Sequence, residues 1–293
     1  MTSALEIQNL SIVYKNSNFK IDNLNLTIPQ GAIMGLVGKN GAGKSTLINS
    51  IFDIVKIDSG KFLFYGSPLN ENTKELKNKI GVVFDTLSFS ELITAQKLNK
   101  VFKDSFELWD SNAYESYLQK FNLPPNKKLK TFSRGMTMKL SIAVALSHGA
   151  KLLILDEATA GLDPVIREEI LDIFLDFVSN GENSVLMSSH ITSDLERIAD
   201  YITIIDHGNI ILSENKDTLL YHYGIARMKH QDFEKLPKES YIAHRNRGFQ
   251  TEALVTNKEQ MNRTYPNMIV DNTGLDDILR LITKGDCEDE RIN

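Results

Sequence analysis

The alternation of apolar and polar residues predicts the first elements of the chain. Segments 5–14 and 19–28 alternate with a period of two, which predicts two half-buried antiparallel strands. Segment 31–38, GAIMGLVG, is apolar throughout, as expected for a strand covered on both faces. A glycine-rich turn follows this strand, and the pattern of residues 45–52 then predicts a helix.

The pattern further along the chain predicts a mostly parallel sheet. Further apolar runs predict strands, and apolar residues at helical spacing separate the later ones. The predicted strands are GKFLFYG (60–66), KIGVVFD (79–85), KLLILDEA (151–158), NSVLMSSH (183–190) and YITIIDHG (201–208). Such alternation of strands and helices favours a parallel sheet with helices on both faces. Residues 86–149 have almost no strand signal, which predicts a helical subdomain inserted in a first domain of residues 1–214.

The character of the sequence changes at about residue 215. Short runs that resemble strands lie at 225–229, 241–247, 251–256 and 267–271, and GLDDILRLIT at 274–283 has the pattern of an amphipathic helix. We therefore expect residues 215–293 to form a small accessory domain that mixes strands and one helix.

Composition limits the functions to consider. The chain has 293 residues, 42% of them hydrophobic, and a formal net charge of −5, which argues against a nucleic-acid partner held by bulk charge. The single cysteine, Cys287, excludes a disulfide within the chain and argues against a metal site built on cysteine. Neither a signal peptide nor an apolar stretch of membrane-spanning length is visible, so we expect a cytoplasmic protein that meets the membrane only through a partner.

The glycine-rich turn carries the strongest chemical signal. GKNGAGKS, residues 38–45, fits G-x-x-x-x-G-K-[ST] between a predicted strand and a predicted helix. In this motif backbone N–H groups wrap phosphate oxygens, Lys44 reaches the β- and γ-phosphates, and the Ser45 hydroxyl binds Mg²⁺. The bland alternative is a turn that only links strand to helix. The predicted contacts are Gly38, Lys39, Asn40, Gly41, Ala42, Gly43, Lys44, Ser45 and Thr46.

Two later strands end in residues suited to phosphoryl transfer. LLILDE ends in Asp156, whose carboxylate can hold Mg²⁺, and Glu157, which can polarise a water for attack. SSH ends in His190, and a neutral histidine beside a phosphate can hold the attacking water. The alternatives are a solvated acid pair and an ordinary core or surface histidine.

The order of these motifs resembles the ATP-binding-cassette (ABC) ATPases over residues 5–214. The segment FSRGM lies between GKNGAGKS and LLILDE, and its Ser133 and Gly135 lie where a helix begins. In that family the Ser-x-Gly segment contacts the γ-phosphate held by a second, head-to-tail domain. The resemblance therefore implies ATP and Mg²⁺ as cofactors and a second ABC ATPase chain, identical or different, as a partner.

Two further positions match this family one by one, and two motifs depart from it. Tyr14 falls where an aromatic ring stacks on adenine, although it could be an ordinary residue at a strand end, and Asp163 lies in the GLD loop that communicates across the dimer. The usual SGGQ is SRGM here, with Arg134 and Met136 in place of Gly and Gln. The loop that usually has Gln after VF has Asp85, which either binds Mg²⁺ or caps the next segment.

The resemblance favours an ATP-hydrolysing transporter subunit. Only one cassette is visible, so the second cassette and the transmembrane permease must come from other chains, with residues 86–149 docking onto the permease. The alternative is a non-transport ABC ATPase of translation or DNA maintenance, but those proteins usually carry two cassettes, a long coiled coil or zinc-binding cysteines. A purely regulatory nucleotide-binding protein would lack Glu157 or His190. The S-x-G-M form favours a bacterial exporter of drugs, peptides or lipids.

Overall fold

The computed structural model describes residues 2–14, 19–70, 73–84, 89–266, 268–284 and the backbone of 286–287. The strands are β1 (Ser3–Val13), β2 (Lys20–Pro29), β3 (Ile33–Val37), β4 (Ser59–Phe64), β5 (Ser67–Leu69), β6 (Ile80–Val83), β7 (Leu152–Asp156), β8 (Ser184–Ser189), β9 (Tyr201–Asp206), β10 (Asn209–Asn215), β11 (Gly224–Lys229), β12 (Tyr241–Arg247), β13 (Gln250–Val255), β14 (Ile269–Asp271) and β15 (Asp286–Cys287). The helices are α1 (Lys44–Ile51), α2 (Lys74–Lys77), α3 (Ala95–Lys103), α4 (Ser111–Lys120), α5 (Arg134–Leu146), α6 (Pro164–Val178), α7 (Thr192–Ile198), α8 (Lys216–Tyr221), α9 (His230–Phe233), α10 (Lys258–Thr264) and α11 (Leu275–Lys284).

A six-stranded sheet forms the centre of the molecule. Its order is β10-β9-β3-β8-β7-β6, and all neighbours are parallel except β9 and β10. A separate antiparallel sheet has the order β2-β1-β4-β5. Helices α3, α4 and α5 lie between β6 and β7 in the chain and supply the helical subdomain. The predicted fold class is therefore confirmed: a mostly parallel core, an antiparallel β subdomain and an inserted helical subdomain.

The central sheet is buried on both faces, which explains its continuous apolar strands. In β3, Ile33 and Val37 join one core cluster, while Met34 and Leu36 join the cluster that holds the antiparallel sheet. In β7 the same alternation sends successive leucine and isoleucine side chains to opposite faces. A strand with two covered faces needs apolar residues at every position, so the pattern cannot alternate there.

The residues after 215 form a third sheet, which is antiparallel and has the order β14-β11-β13-β12-β15. Ala226 and Met228 pack on one face of it, in a small cluster with α10. Ile225 on the other face belongs to the large cluster that also contains Leu195 and Ile198 of α7. The accessory region thus shares a core with the rest of the chain. Its division from the first domain near residue 214 stays a prediction.

Several elements had no clear signal in the sequence. Strand β10 extends the central sheet at an edge, and its side chains are only partly covered, so their polarity does not alternate. The short helices α8, α9 and α10 span too few residues for a periodic pattern.

In the part of the chain that the structure describes, no helix combines the length and apolar character needed to cross a bilayer.

A buried histidine joins the helical subdomain to the segment between α2 and β6. His148, just after α5, is 3% exposed, and its ring stacks on Phe106 with the ring centroids 4.6 Å apart. Its Nδ1 lies 2.9 Å from the carbonyl oxygen of Asn78, which can only accept, so Nδ1 is the donor. Burial lowers the pKa of His148 below its usual 6.5, although the carbonyl of Asn78 partly opposes this shift.

This lowered pKa makes stability depend on pH. Below about pH 6.5 the unfolded chain takes up a proton at His148 that the folded chain does not. The free energy of unfolding therefore decreases as the pH falls toward the pKa of His148 in the folded protein. We expect the melting temperature to fall between pH 7.5 and 5.5, and His148→Gln to show a flatter slope despite lower stability at pH 7.5. Thermal unfolding across this range tests it, with His222→Gln at an exposed histidine as the control. Equal slopes for His148→Gln and the unchanged protein would contradict the assignment.

Candidate nucleotide site

Three parallel strands end at one edge of the central sheet. Register pairs Val37 at the end of β3 with Ser189 of β8, and Ser188 with Asp156 at the end of β7. The segments that follow these strands therefore start side by side. Ligands of parallel α/β sheets bind at such carboxyl ends, so the sheet places the predicted phosphate loop beside Glu157 and His190.

The loop from 38 to 43 connects β3 with α1, and glycine is required at two of its positions. A Cβ on Gly38 would come within 2.4 Å of the carbonyl oxygen of Ile205. Gly43 caps α1 with a φ of 114°, a conformation that favours glycine, and a Cβ there would lie 2.9 Å from the ring of Phe19. The loop is thus shaped by close contact with the backbone of Ile205 and the ring of Phe19, and it leads directly into α1.

Lys44, the first residue of α1, is buried against this loop, with 6% of its surface exposed. Its Nζ donates to the carbonyl oxygens of Gly38, at 2.7 Å, and Lys39, at 3.3 Å. It also lies 3.4 Å from Oε1 of Glu157. A buried ammonium needs such partners, since an isolated charge would be costly to remove from water. The cation is held where carboxylate and carbonyl oxygens meet, which is the chemistry that also suits phosphate oxygens.

Glu157 links Lys44 to His190. Its Oε2 lies 2.6 Å from Nδ1 of His190, so the ring nitrogen donates and the carboxylate accepts. The backbone of Glu157 has a φ of 54°, which is uncommon for a residue with a side chain and turns the chain sharply after β7. Lys44, Glu157 and His190 therefore form a continuous polar chain across the pocket.

Ser188 holds Asp156 and Glu157 in place, a role for which the sequence carries no signal. This fully buried serine donates through Oγ to Oδ1 of Asp156 at 2.6 Å. The same Oγ and the carbonyl oxygen of Ser188 accept from the backbone N–H of Glu157 at 3.0 and 3.2 Å. One side chain on the neighbouring strand thus fixes both the carboxylate of Asp156 and the unusual backbone of Glu157.

A pocket of about 630 Å³ opens above the loop. It is lined by Phe19, Lys39, Asn40, Gly41, Gly43, Lys44, Ser45, Thr46, Glu157, Ala160 and His190. Most of the predicted phosphate-loop residues therefore meet the predicted catalytic pair in one cavity. Gly38 and Ala42 are buried residues of the loop and do not line the pocket, and Asp156 does not line it either.

An aromatic residue that the sequence analysis missed lies in this pocket. Phe19 lines it, whereas Tyr14 does not, although the two ring centroids are only 6.1 Å apart. Tyr14 is 37% exposed and remains a predicted adenine contact. Phe19 belongs to no sequence motif, and it reaches the pocket because β1 and β2 fold back on each other. Only the tertiary structure could therefore show that Phe19 lines the pocket.

The Ser-x-Gly segment begins a helix as predicted but does not line this pocket. Ser133 is the N-cap of α5, and its Oγ accepts from the N–H of Met136 at 3.3 Å. Gly135 is buried, and a Cβ there would meet Ile166 of α6 at 2.8 Å. Ser133 itself is exposed, so its hydroxyl and the start of α5 are available to a group from outside the chain.

The GLD loop lies against this helix start. The guanidinium of Arg134 lies 3.3 Å from the position of a Cβ on Gly161, so the unusual arginine packs on the loop rather than pointing away from it. Asp163 caps α6, accepting from the N–H of Val165 at 2.9 Å. Val165 is 65% exposed, which makes this surface partly apolar.

The oxygen donors fit the predicted Mg²⁺ ion. Ser45 offers a hydroxyl at the start of α1, and Asp156 offers a carboxylate at the end of β7. Among the described residues no group of three or more His, Cys, Asp or Glu side chains could hold a metal. Mg²⁺ at nucleotide sites is bound through one or two carboxylates and the substrate phosphates, so one carboxylate and one hydroxyl suit it. Asp85, the third predicted ligand, lies outside the described residues.

Comparisons with known proteins agree with this geometry. The family model described as ABC transporter matches residues 21–160. The lantibiotic transport ATP-binding protein SrtF of Streptococcus pyogenes is 36% identical over 215 residues, which are 73% of this chain and 91% of that protein. The chain belongs to the ABC transporter family. It is an ATP-binding, ATP-hydrolysing subunit, and the alternative of a non-transport ABC ATPase is not favoured.

Two other similarities extend this result. The bacitracin transport ATP-binding protein BcrA of Bacillus licheniformis is 27% identical over 270 residues, which are 92% of this chain and 87% of that protein. A match of this length must extend into the residues after 215. A solved ATP-binding subunit of an ABC transporter superposes with a TM-score of 0.67 at 26% identity, covering 74% of this chain and 92% of that one.

Ser188 gives a direct test of the ABC site. Ser188→Ala removes the bond to Asp156 and one acceptor of the Glu157 N–H, so we expect ATPase kcat to fall about 10- to 100-fold, as is common when outer partners of site residues are lost. Steady-state ATP hydrolysis measures this. Ser184→Ala is the control, since Ser184 is equally buried on the same strand but hydrogen-bonds Gly31 and Pro29 instead. A similar loss of kcat in both variants would contradict a specific role for Ser188.

Proposed function

We propose that this chain energises a bacterial exporter by hydrolysing ATP at a site shared between two cassettes. The observation that carries the proposal is the separation of the two phosphate-binding elements. Lys44 lies in the pocket, whereas Ser133 stands exposed at a helix start that does not line it. Two chains arranged head to tail would bring each Ser133 to the other chain's pocket, with two shared sites.

The pocket residues have distinct roles in this proposal. ATP supplies the phosphoanhydride bond that is cleaved. Lys44 and the N–H groups at the start of α1 stabilise the charge on the phosphates, and Ser45 and Asp156 hold Mg²⁺. Glu157 accepts a proton from the attacking water, and His190 orients the Glu157 carboxylate through the 2.6 Å hydrogen bond.

The helical subdomain offers a surface for the membrane partner. Leu92, Val101 and Leu108 are 68%, 52% and 53% exposed there. In the same subdomain the ring of Phe102 lies 5.2 Å from the ring of Trp109, within an aromatic cluster. We propose that these leucine and valine side chains contact cytoplasmic segments of a separate transmembrane permease, which places the chain on the inner face of the membrane.

The names of the relatives support export of a peptide antibiotic. The compared proteins SrtF and BcrA are named for the transport of lantibiotics and bacitracin. We therefore propose an antimicrobial peptide as the cargo class, bound by the permease and not by this chain.

The shared site is tested by trapping the bound state. Glu157→Gln keeps the shape of the side chain but removes the base, so ATP should persist and hold two chains together as a dimer. Size-exclusion chromatography with and without Mg-ATP measures this, using the native partner cassette if that is a different chain. Adding Ser133→Asp keeps a good N-cap for α5 but places a negative charge against the partner's phosphates. The double variant should bind ATP and stay monomeric, and an undiminished dimer would refute the shared site.

The permease contact has its own test. Co-expressed with the multi-span membrane protein of the neighbouring reading frame, the chain should co-purify with it, and Leu92→Asp or Val101→Asp should abolish this. Ile54→Asp is the matched control, because Ile54 is a 63% exposed apolar residue outside the helical subdomain. The intact pair should also raise the concentration of bacitracin or lantibiotic that cells tolerate. Equal co-purification of all variants would refute docking through this surface.

A further inference from the structure

Helix α11, the last helix among the described residues, is hydrogen-bonded at its start to α7 and at its end to the phosphate loop. At its start, the N–H of Leu275 donates to Oε1 of Glu196 at 2.6 Å. Glu196 lies in α7, which begins two residues after His190. At its other end, the carbonyl oxygen of Thr283 accepts a hydrogen bond from Nζ of Lys39 in the phosphate loop. The helix therefore connects the phosphate loop to α7.

Both contacts match the polarity of the helix. The first N–H groups of a helix and its last carbonyl groups have no partners within the helix, and they carry partial positive and negative charge. The Glu196 carboxylate meets the positive end of α11, and the Lys39 ammonium meets the negative end. Each contact thus satisfies an open backbone group with the charge that suits it.

The helix is the fixed partner in these contacts. Its apolar residues Leu275, Ile278, Leu281 and Ile282 are each at most 2% exposed. They belong to the large core cluster that also contains Ile33 and Val37 of β3. Lys39, in contrast, is an exposed residue in a glycine-rich loop. When the two are bonded, the loop takes its position from the helix.

Lys39 transmits this contact to the phosphate-binding lysine. Its side chain is bonded to α11, while its carbonyl oxygen accepts from Nζ of Lys44 at 3.3 Å. Glycine-rich segments lose much conformational freedom when they are fixed in one conformation. An external contact that fixes the loop in advance reduces the ordering that ligand binding must impose.

We propose that α11 braces the phosphate loop in its ATP-binding conformation, with Lys39 as the positioning residue. The accessory region then regulates ATP affinity through this helix. The inference rests on the assignment of residues 38–46 as the ATP site.

Two variants break the brace from opposite sides. Lys39→Met removes the ammonium, and Lys39→Arg keeps a charged donor that can still reach the helix end. Thr283→Gly leaves every charge in place but frays the last turn of α11, since glycine is a poor helix former. Thr264→Gly is the matched control, because Thr264 is the exposed last residue of α10, a helix of the same region that packs on β11 and β14.

The first readout is ATP affinity, measured on the full chain by equilibrium dialysis in EDTA so that no turnover occurs. A charge at a helix end contributes a factor of about two to five in an equilibrium constant. We expect Lys39→Met and Thr283→Gly each to weaken ATP binding by about this factor, and the double variant to be no weaker than the worse single one. Thr264→Gly should bind ATP as the unchanged protein does, and Lys39→Arg should recover most of the affinity that Lys39→Met loses.

The second readout is hydrogen exchange of the backbone amides in residues 281–284, measured without nucleotide. Lys39→Met should speed this exchange, and Lys39→Arg should restore the protection. Unchanged exchange in Lys39→Met, or additive losses of affinity in the double variant, would overturn the brace. If the chain binds ATP equally well with and without Lys44→Ala, the site assignment fails first and the brace falls with it. If only Lys44→Ala matters, the ATP site stands and the brace is wrong.

Discussion

The chemistry of this molecule depends on the parallel register of three strands. Because β3, β8 and β7 run the same way and are hydrogen-bonded neighbours, the segments that follow them begin at one edge. The polar chain from Lys44 through Glu157 to His190 exists only because of this register. A shift of one residue in β7 would move Asp156 away from Ser188 and turn its side chain toward the opposite face of the sheet.

The fold and the phosphate loop could be predicted from the sequence because their signals are local. The phosphate loop is a local structure, since a buried strand, six residues with required glycines and a helix start are consecutive in the chain. The apolar runs of β3, β7 and β8 are long enough to identify a sheet covered on both faces. Strand β10 was missed because it lies at an edge, where side chains are only partly covered and the pattern is weak.

The unpredicted parts of the site are contacts between distant segments. Phe19 reaches the pocket across the antiparallel sheet, and Ser188 acts on Asp156 from 32 positions away. The contact of Lys39 with Thr283 joins positions 244 apart. None of these residues belongs to a motif that names its partner, and periodicity describes only which face a residue occupies. Such contacts become visible only when the elements are packed together.

The left-handed backbone of Glu157 has a consequence for the evolution of this site. A residue with a side chain loses roughly 1–2 kcal/mol in that conformation, a loss that glycine avoids and asparagine reduces. Glycine or asparagine at residue 157 would relieve this strain, but it would also remove the carboxylate that partners the buried Lys44 ammonium. Backbone conformation and charge pairing therefore favour different residues at this one position. A cassette that bound ATP without hydrolysing it would give up the carboxylate at least cost while the phosphates of ATP partnered Lys44.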